Sequence, residues 1–182
     1  AEKNGDTIST AANTKFADIP AHAWYSGYVK YLSNNGITYG KSKTIFAPND
    51  AITRAEFTTM AVRFFDVYGD GDSEIMEQFS GFNDVSSGYW AAEYIKYAAL
   101  HGWINGYGDG SFHADREINR AEVVTIVNRL LGREADEDYI ADNLRKLNTF
   151  PDVSRKHWAY YAVMEAANAH TAVLGENESW SK

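Results

Sequence analysis

The chain repeats one short pattern three times, and this periodicity limits its possible folds more than any other feature. The pattern is Phe-x-Asp-aliphatic followed by a Trp, eight residues after the Phe in every copy: Phe16 and Trp24, Phe82 and Trp90, Phe150 and Trp158. Segments 16–63 and 82–129 align without a gap and are identical at 15 of 48 positions. Duplications of this kind are typical of proteins whose repeats bury a shared core.

Each complete copy is predicted to form a helix, a loop and a second helix. Apolar residues recur at three- and four-residue spacing from Trp24 and from Trp90 onward, which is typical of an amphipathic helix. Gly36 and Gly102 stand where a glycine ends such a helix with a positive φ. A glycine-rich loop containing Gly40 or Gly106 follows.

Capping boxes predict where the second helices begin. Thr53-Arg54-Ala55-Glu56 and Asn119-Arg120-Ala121-Glu122 place a cap residue three positions before a glutamate. The helices are expected to run from Ala55 to about Asp66 and from Ala121 to about Leu131. No long alternating strand is visible, so the predicted fold class is all-α.

The third copy departs from the other two. Its counterparts of the two loop glycines are His170 and Leu174, and no Arg-Ala-Glu follows Trp180. The chain is therefore divided into a flexible leader, two complete repeats with an acidic loop between them, a linker with a short helix, and an incomplete repeat. Their bounds are 1–15, 16–68 (repeat 1), 69–81 (acidic loop), 82–132 (repeat 2), 133–149 (linker) and 150–182 (repeat 3).

Composition excludes several functions. A net charge of -8 argues against duplex nucleic acid as a partner, and no apolar run is long enough to insert into a membrane. The five histidines are scattered and no catalytic motif is present, so we predict no enzyme and no cofactor. The stretch Asp66–Glu77 resembles a calcium loop, but Tyr68 occupies a ligand position, and we expect a solvated acidic loop without metal.

The order and spacing of these motifs resemble the S-layer homology family. The matching residues are Phe16, Asp18, Trp24, Gly36, Gly40, Ile52 to Glu56, Phe82, Asp84, Trp90, Gly102, Gly106 and Ile118 to Glu122, with Phe150, Asp152 and Trp158 in the third copy. The resemblance implies three repeats packed as a pseudo-threefold bundle. It also implies an extracellular module at the bacterial cell wall or S-layer.

The same resemblance implies a function and a set of binding residues. Modules of this family attach exported proteins non-covalently to a secondary cell-wall polymer, often through a pyruvylated amino sugar. The implied ligand-binding residues are arginines, tryptophans, aspartates and glycines near the grooves between repeats: Arg54, Arg120, Trp24, Trp90, Trp158, Asp18, Asp84, Asp152, Gly36, Gly40, Gly102 and Gly106. The two complete repeats are the better candidates for working sites.

The chemistry of the two arginines agrees with this implication. Arg54 and Arg120 follow the caps, in the first helical turn, where backbone N–H groups and the helix dipole favour an anion. A guanidinium grips a carboxylate with two hydrogen bonds, and a Trp face packs on a sugar ring.

Other interpretations of these residues stay open. The tryptophans are also compatible with a core role, the arginines with an ion pair between repeats, Glu56 and Glu122 with capping, the aspartates with turns, and the glycines with backbone geometry. The alternative function is a self-assembly module of a surface layer that no longer binds glycan. The missing third box would then favour a homodimer through repeat 3.

Overall fold

The computed structural model describes residues 8, 12–68, 80–173 and 179–181. The described residues form six α-helices and one short hairpin, so the all-α prediction is confirmed, with the hairpin as an addition. The helices are α1 (Ser26–Asn34), α2 (Arg54–Tyr68), α3 (Ala92–Leu100), α4 (Arg120–Leu130), α5 (Glu137–Asn143) and α6 (Tyr160–Ala167), with a 3-10 turn over Leu144–Lys146. The antiparallel hairpin pairs β1 (Thr171–Val173) with β2 (Ser179–Ser181).

The helix boundaries of repeats 1 and 2 follow the predicted signals. Gly36 and Gly102 come directly after the C-caps of α1 and α3, with φ of +72° and +69°. The capping box of α4 is complete, because the Glu122 amide donates to Asn119 Oδ1 and the Asn119 amide donates to Glu122 Oε2. Thr53 and Glu56 make the same reciprocal pair, at 3.1 and 2.9 Å.

The apolar spacing of the first helix does not mark its buried face in repeat 1. The helix begins two residues after Trp24, and both Trp24 (75% exposed) and Tyr28 (45% exposed) face solvent. The buried residues of α1 are Ser26, Gly27 and Val29. The buried Ser26 hydroxyl is satisfied, because its Oγ donates to the Ala21 carbonyl and accepts from the Ala12 amide.

An aspartate holds the loop of each complete repeat. Asp18 accepts hydrogen bonds from the amides of Phe46 (2.9 Å) and Ala47 (2.7 Å), and the Phe46 amide contributes most to a pKa of Asp18 below its usual 3.8. In repeat 2, Asp84 accepts from the amides of Phe112 and His113, both at 2.7 Å. This bonding fixes a loop whose Ala47 or His113 takes a positive φ.

Gly40 and Gly106 let the motif phenylalanine pack on the loop backbone. A Cβ added to Gly106 would lie 2.6 Å from the Ser111 carbonyl oxygen and closer still to the Phe82 ring. A Cβ on Gly40 would lie 2.6 Å from the Ile45 oxygen and from the Phe16 ring. Only glycine permits this close approach.

The second helix of each complete repeat packs against the first helix of the next. Helix α2 contacts α3 and α4, and α4 contacts α6. The largest core cluster lies between repeats 1 and 2, with Ala55 and Val62 of α2, Ile95 of α3 and Phe112 buried together. The Asn128 side chain joins α4 to α6 by donating to the Ala162 carbonyl at 2.9 Å.

The segment predicted as repeat 3 is built differently. The linker helix α5 is present as predicted, and its Ile140 packs with Tyr160, Met164 and Trp180 in a separate core cluster. The Trp180 amide, counterpart of the Phe112 amide, donates to Asp136 at 3.0 Å. Asp136 also caps α5 by accepting from the Tyr139 amide. Asp136, and not the motif residue Asp152, which is exposed, therefore accepts the amide at this position.

Two sequence predictions lie mainly or wholly outside the described residues. They are the flexible leader over residues 1–15, of which the structure describes 8 and 12–15, and the acidic loop over 69–81, of which it describes 80 and 81. Most of the calcium-like stretch 66–77 falls there too, and its calcium binding stays untested.

Candidate functional site

Two grooves open where one repeat meets the next. Groove A, of about 370 Å³, lies between repeats 1 and 2; groove B, of about 480 Å³, lies between repeats 2 and 3. Each combines a glycine-rich loop, one face of a second helix and the Trp of the following repeat. Groove A is lined by 38–41, 46–48, 50–52, Glu56, Thr59, Met60, Arg63 and Trp90. Groove B is lined by Arg54, 103–107, Arg116, Asn119, Glu122, Thr125, Ile126, Arg129 and Trp158.

The tryptophans of repeats 2 and 3 present their rings to these grooves. Trp90 lines groove A at 56% exposure, and Trp158 lines groove B at 65% exposure. The interpretation of the tryptophans as core residues is therefore wrong. Trp24 is the most exposed of the three, and its ring contacts Tyr25 and Tyr28 edge-on.

Arg54 reaches from repeat 1 into the floor of groove B. Its side chain is buried, and Nε donates to the Phe112 carbonyl at 2.8 Å. One terminal nitrogen donates to Glu122 at 2.9 Å and the other to the Asn105 carbonyl at 3.3 Å. The guanidinium also lies 4.5 Å from the Phe112 ring centre. The alternative interpretation of Arg54, an ion pair between repeats, is confirmed.

Glu122 is the acceptor at the centre of groove B. In addition to Arg54, its Oε1 accepts from Tyr107 at 2.9 Å and from Arg116, while Oε2 accepts from the Asn119 amide. Burial raises the pKa of Glu122, but the Asn119 amide, Tyr107 and the two arginines outweigh burial and hold the pKa below its usual 4.5. Burial and the bond to Glu122 raise the pKa of Tyr107, which keeps its hydroxyl protonated.

The predicted anion site at the start of α2 is wrong. The Arg54 amide donates to the Arg116 carbonyl, and the Ala55 amide donates to the Ala114 carbonyl, each at 2.9 Å. The Glu56 amide is taken by the Thr53 hydroxyl. Repeat 2 and the cap together occupy the amides that the sequence alone suggested were free for a ligand.

The remaining predicted site residues fall into two groups. Gly40 lines groove A and Gly106 lines groove B, each at the loop that faces the Trp. The others lie outside the lining of both grooves: Gly36 and Gly102 end helices, Asp18 and Asp84 hold loops, and Arg120 and Asp152 are exposed. The structure thus brings only part of the predicted set together.

Several groove B residues were missed by the sequence analysis, among them Tyr107, Arg116 and Arg129. Arg129 did carry a signal, because it repeats Arg63 at the same position of the duplicated segment, and both arginines line a groove. Arg116 carried none, since its counterpart in repeat 1 is Asp50.

These contacts describe the two grooves as candidate binding sites, built where one repeat meets the next. The groove linings supply exposed indole rings, guanidinium groups and loop backbone, which are groups that bind and orient a ligand. Within the described residues no cluster of three or more His, Asp or Glu side chains is arranged to hold a metal ion. None of the helices in that part of the chain is long and apolar enough to cross a membrane.

Comparison with known proteins gives the family of the two complete repeats. The S-layer homology domain matches the chain over residues 15–58 and again over 81–124. These two segments are S-layer homology repeats, and the resemblance is confirmed for them. That residues 150–182 form a third, incomplete repeat stays a prediction.

Several proteins of bacteria are similar to nearly the whole chain. Cell surface glycoprotein 1 of Acetivibrio thermocellus is 31% identical over 181 residues, covering 95% of the chain and 7% of that protein. The cellulosome-anchoring protein of the same species is 30% identical over 164 residues, covering 89% and 34%. An amylopullulanase of Thermoanaerobacterium thermosulfurigenes is 33% identical over 153 residues, covering 84% and 8%. The chain spans 7 to 34% of the length of these relatives.

Proposed function

We propose that this chain is a non-covalent anchoring module that binds a secondary cell-wall polymer of a bacterial envelope. Groove B holds an acidic sugar of that polymer, such as a pyruvylated amino sugar. The observation that carries the proposal is the pairing of an exposed Trp158 ring with three arginines in one groove.

The groove chemistry suits a charged saccharide. The face of Trp158 offers an apolar platform for a sugar ring. Arg116 and Arg129 are exposed guanidinium groups on the same lining, able to donate paired hydrogen bonds to a carboxylate. The buried Arg54 pairs with Glu122 and so offsets the negative charge of that carboxylate in the groove. The net charge of -8 would repel an anionic ligand, and the local cluster of arginines offsets this repulsion at the groove.

The family and the relatives support the surface location. The relatives include a cell surface glycoprotein and a cellulosome-anchoring protein, and the chain is accordingly an extracellular, wall-associated module. An anchoring role also explains why a similar segment occurs in an amylopullulanase, since one anchor serves many attached activities. The module itself then needs no catalytic residues.

Co-sedimentation with purified bacterial walls tests the proposal. Wild-type protein should pellet with walls that carry their secondary polymer and stay in solution once the polymer has been removed chemically. Trp158→Ala and Arg129→Ala should each weaken pelleting about tenfold or more, because both side chains face groove B. Arg145→Ala, on an exposed arginine outside both grooves, is the matched control and should pellet like wild type.

Two results would contradict this function. Equal pelleting with intact and stripped walls would show that peptidoglycan, not the polymer, is bound. No pelleting of folded wild-type protein with any of several wall types would exclude anchoring.

The exposed rings of Trp24 and Tyr28 favour a second candidate, self-association within a surface layer. Light scattering distinguishes it. A monomer of 20.4 kDa supports the anchoring function alone, whereas a dimer that Trp24→Ser returns to the monomer mass supports assembly. A dimer that withstands this substitution is the result expected for contacts through repeat 3.

A further inference from the structure

Groove A and groove B share one backbone plan but carry different charges. Residues at corresponding positions line both, 66 apart in the chain: Lys41 and Tyr107, Asp50 and Arg116, Glu56 and Glu122, Thr59 and Thr125, Arg63 and Arg129. A Trp closes each groove from the next repeat. The two grooves can therefore be compared position by position, as two versions of one site.

The largest difference is the reversal of charge between Asp50 and Arg116. The Arg116 carbonyl is anchored by the Arg54 amide at 2.9 Å, and its guanidinium contacts Tyr107 and Glu122 while 43% of the side chain stays exposed. Asp50 is exposed on the lining of groove A. A ligand carboxylate would thus meet a cation in groove B where it meets another carboxylate in groove A.

The glutamate common to both grooves is also neutralised differently. In groove A, Glu56 pairs with Lys41 at 2.6 Å. That pair leaves one cation, Arg63, which lies over the rings of Tyr39 and Tyr94 at 4.8 and 5.1 Å. Two basic and two acidic side chains therefore line groove A and balance each other.

Groove B has an excess of positive charge. Glu122 pairs with two of the three arginines that line the groove, Arg54 and Arg116, and Arg54 comes from repeat 1 and is buried. Arg129 is a third, exposed arginine on the same lining as Trp158. Because partly desolvated charges interact more strongly than solvated ones, this excess acts at short range even in a chain of negative net charge.

We propose that the two grooves have separate specificities: groove B binds the acidic sugar of the polymer, and groove A binds a neutral sugar. Arg116 and Asp50 are the residues that determine this difference. The inference rests on the proposed wall-binding function and adds a division of ligand class between its two grooves. One polymer chain carrying both kinds of sugar would then engage the module at two points, which raises its avidity.

Nuclear magnetic resonance of the full chain tests the assignment groove by groove. Each of the five tryptophans carries one indole N–H, and the Trp90→Phe and Trp158→Phe variants identify the signals of the two grooves. The probes are methyl glycosides of N-acetylmannosamine and N-acetylglucosamine, each with and without a pyruvyl ketal. The ketal-bearing probes should shift the Trp158 signal, and the neutral probes should shift the Trp90 signal.

Reciprocal substitutions make the test specific. Arg116→Asp should weaken binding of the ketal-bearing probe to groove B about tenfold or more, while Asp50→Arg should give groove A measurable affinity for it. Added salt should weaken binding of the acidic probe and leave binding of the neutral probe unchanged. Arg145→Asp makes the same charge change outside both grooves and should alter neither signal.

The failures of the two proposals are distinguishable. Wild-type protein that pellets with walls but whose Trp90 and Trp158 signals respond equally to the acidic probe overturns the division of specificity. So does an Arg116→Asp variant with unchanged affinity, or a wall-binding protein in which no probe shifts either signal. Loss of wall binding by the wild type itself contradicts the anchoring function.

Discussion

The starts of α2 and α4 carry the same Arg-Ala-Glu sequence, yet their arginines have opposite environments. Arg54 is 5% exposed and bonded to Glu122 and to two carbonyls of repeat 2. Arg120 is exposed, and within the described ranges its side chain has no hydrogen-bonded or ionic partner. The identical motif therefore has two roles, and its neighbours decide which one applies.

The neighbouring repeat explains the difference. Arg54 finds its acceptors at Asn105 and Phe112, in the loop of repeat 2. The counterparts of these two residues in repeat 3 are Val173 and Trp180, and both lie in the hairpin β1–β2. Trp180 packs against α5 instead of forming a receiving loop. A first-turn arginine is thus buried only where the next repeat offers carbonyls and a carboxylate.

The largest expected effect is on stability. Arg54→Met should lower the free energy of unfolding by about 3 kcal/mol, because it leaves Glu122 buried with fewer partners. Arg120→Met should change it by less than about 0.5 kcal/mol, as for an ordinary surface residue. Urea denaturation of both variants measures the difference. Equal losses of unfolding free energy in the two variants would contradict the different roles of Arg54 and Arg120 and would require a structural partner for Arg120.

Removing the N-cap side chain should have a smaller effect on stability, equal for α2 and α4, because each helix begins with its own capping box. Thr53→Ala and Asn119→Ala each remove the acceptor of a first-turn amide and should cost about 1 kcal/mol. Thermal unfolding of the two variants, next to wild type, provides the measurement. If only one of the two variants lost stability, the capping boxes would contribute unequally despite their matching geometry.

The smallest effect is a dependence of stability on pH. The folded-state pKa values of Glu122 and Asp84 lie below the usual 4.5 and 3.8, although burial alone would raise both. Their stabilising contribution is therefore complete above the unfolded-state pKa values and is lost as pH falls through the lower folded-state values. Tm should drop on acidification from about pH 5 to pH 3.

The Glu122→Gln variant provides the control for this acid sensitivity. Since glutamine does not titrate, its Tm should fall less steeply over the same pH range. A variant with the wild-type slope would assign the acid sensitivity to other carboxylates. Asp18, Asp84 and Asp136 are the first candidates, because each accepts backbone hydrogen bonds that lower its pKa.

Much of the fold was predictable because its signals are local. Capping boxes, terminal glycines and apolar spacing depend on residues a few positions apart, so the sequence correctly predicted α2, α4 and α5. The spacing did not show that Trp24 and Tyr28 are exposed, because periodicity shows that residues share a face and does not show what that face contacts.

The candidate site was predictable only in part. The sequence alone determined the duplicated repeat, the capping boxes that begin α2 and α4, and the glycines that end α1 and α3. Tertiary structure decided that Arg54 would be buried, that the α2 amides would be occupied, and that Arg116 would join Arg129 and Trp158 in groove B. The physical reason is distance along the chain: Arg54 and Glu122 are 68 residues apart, and only the packing of one repeat on the next brings their charges together.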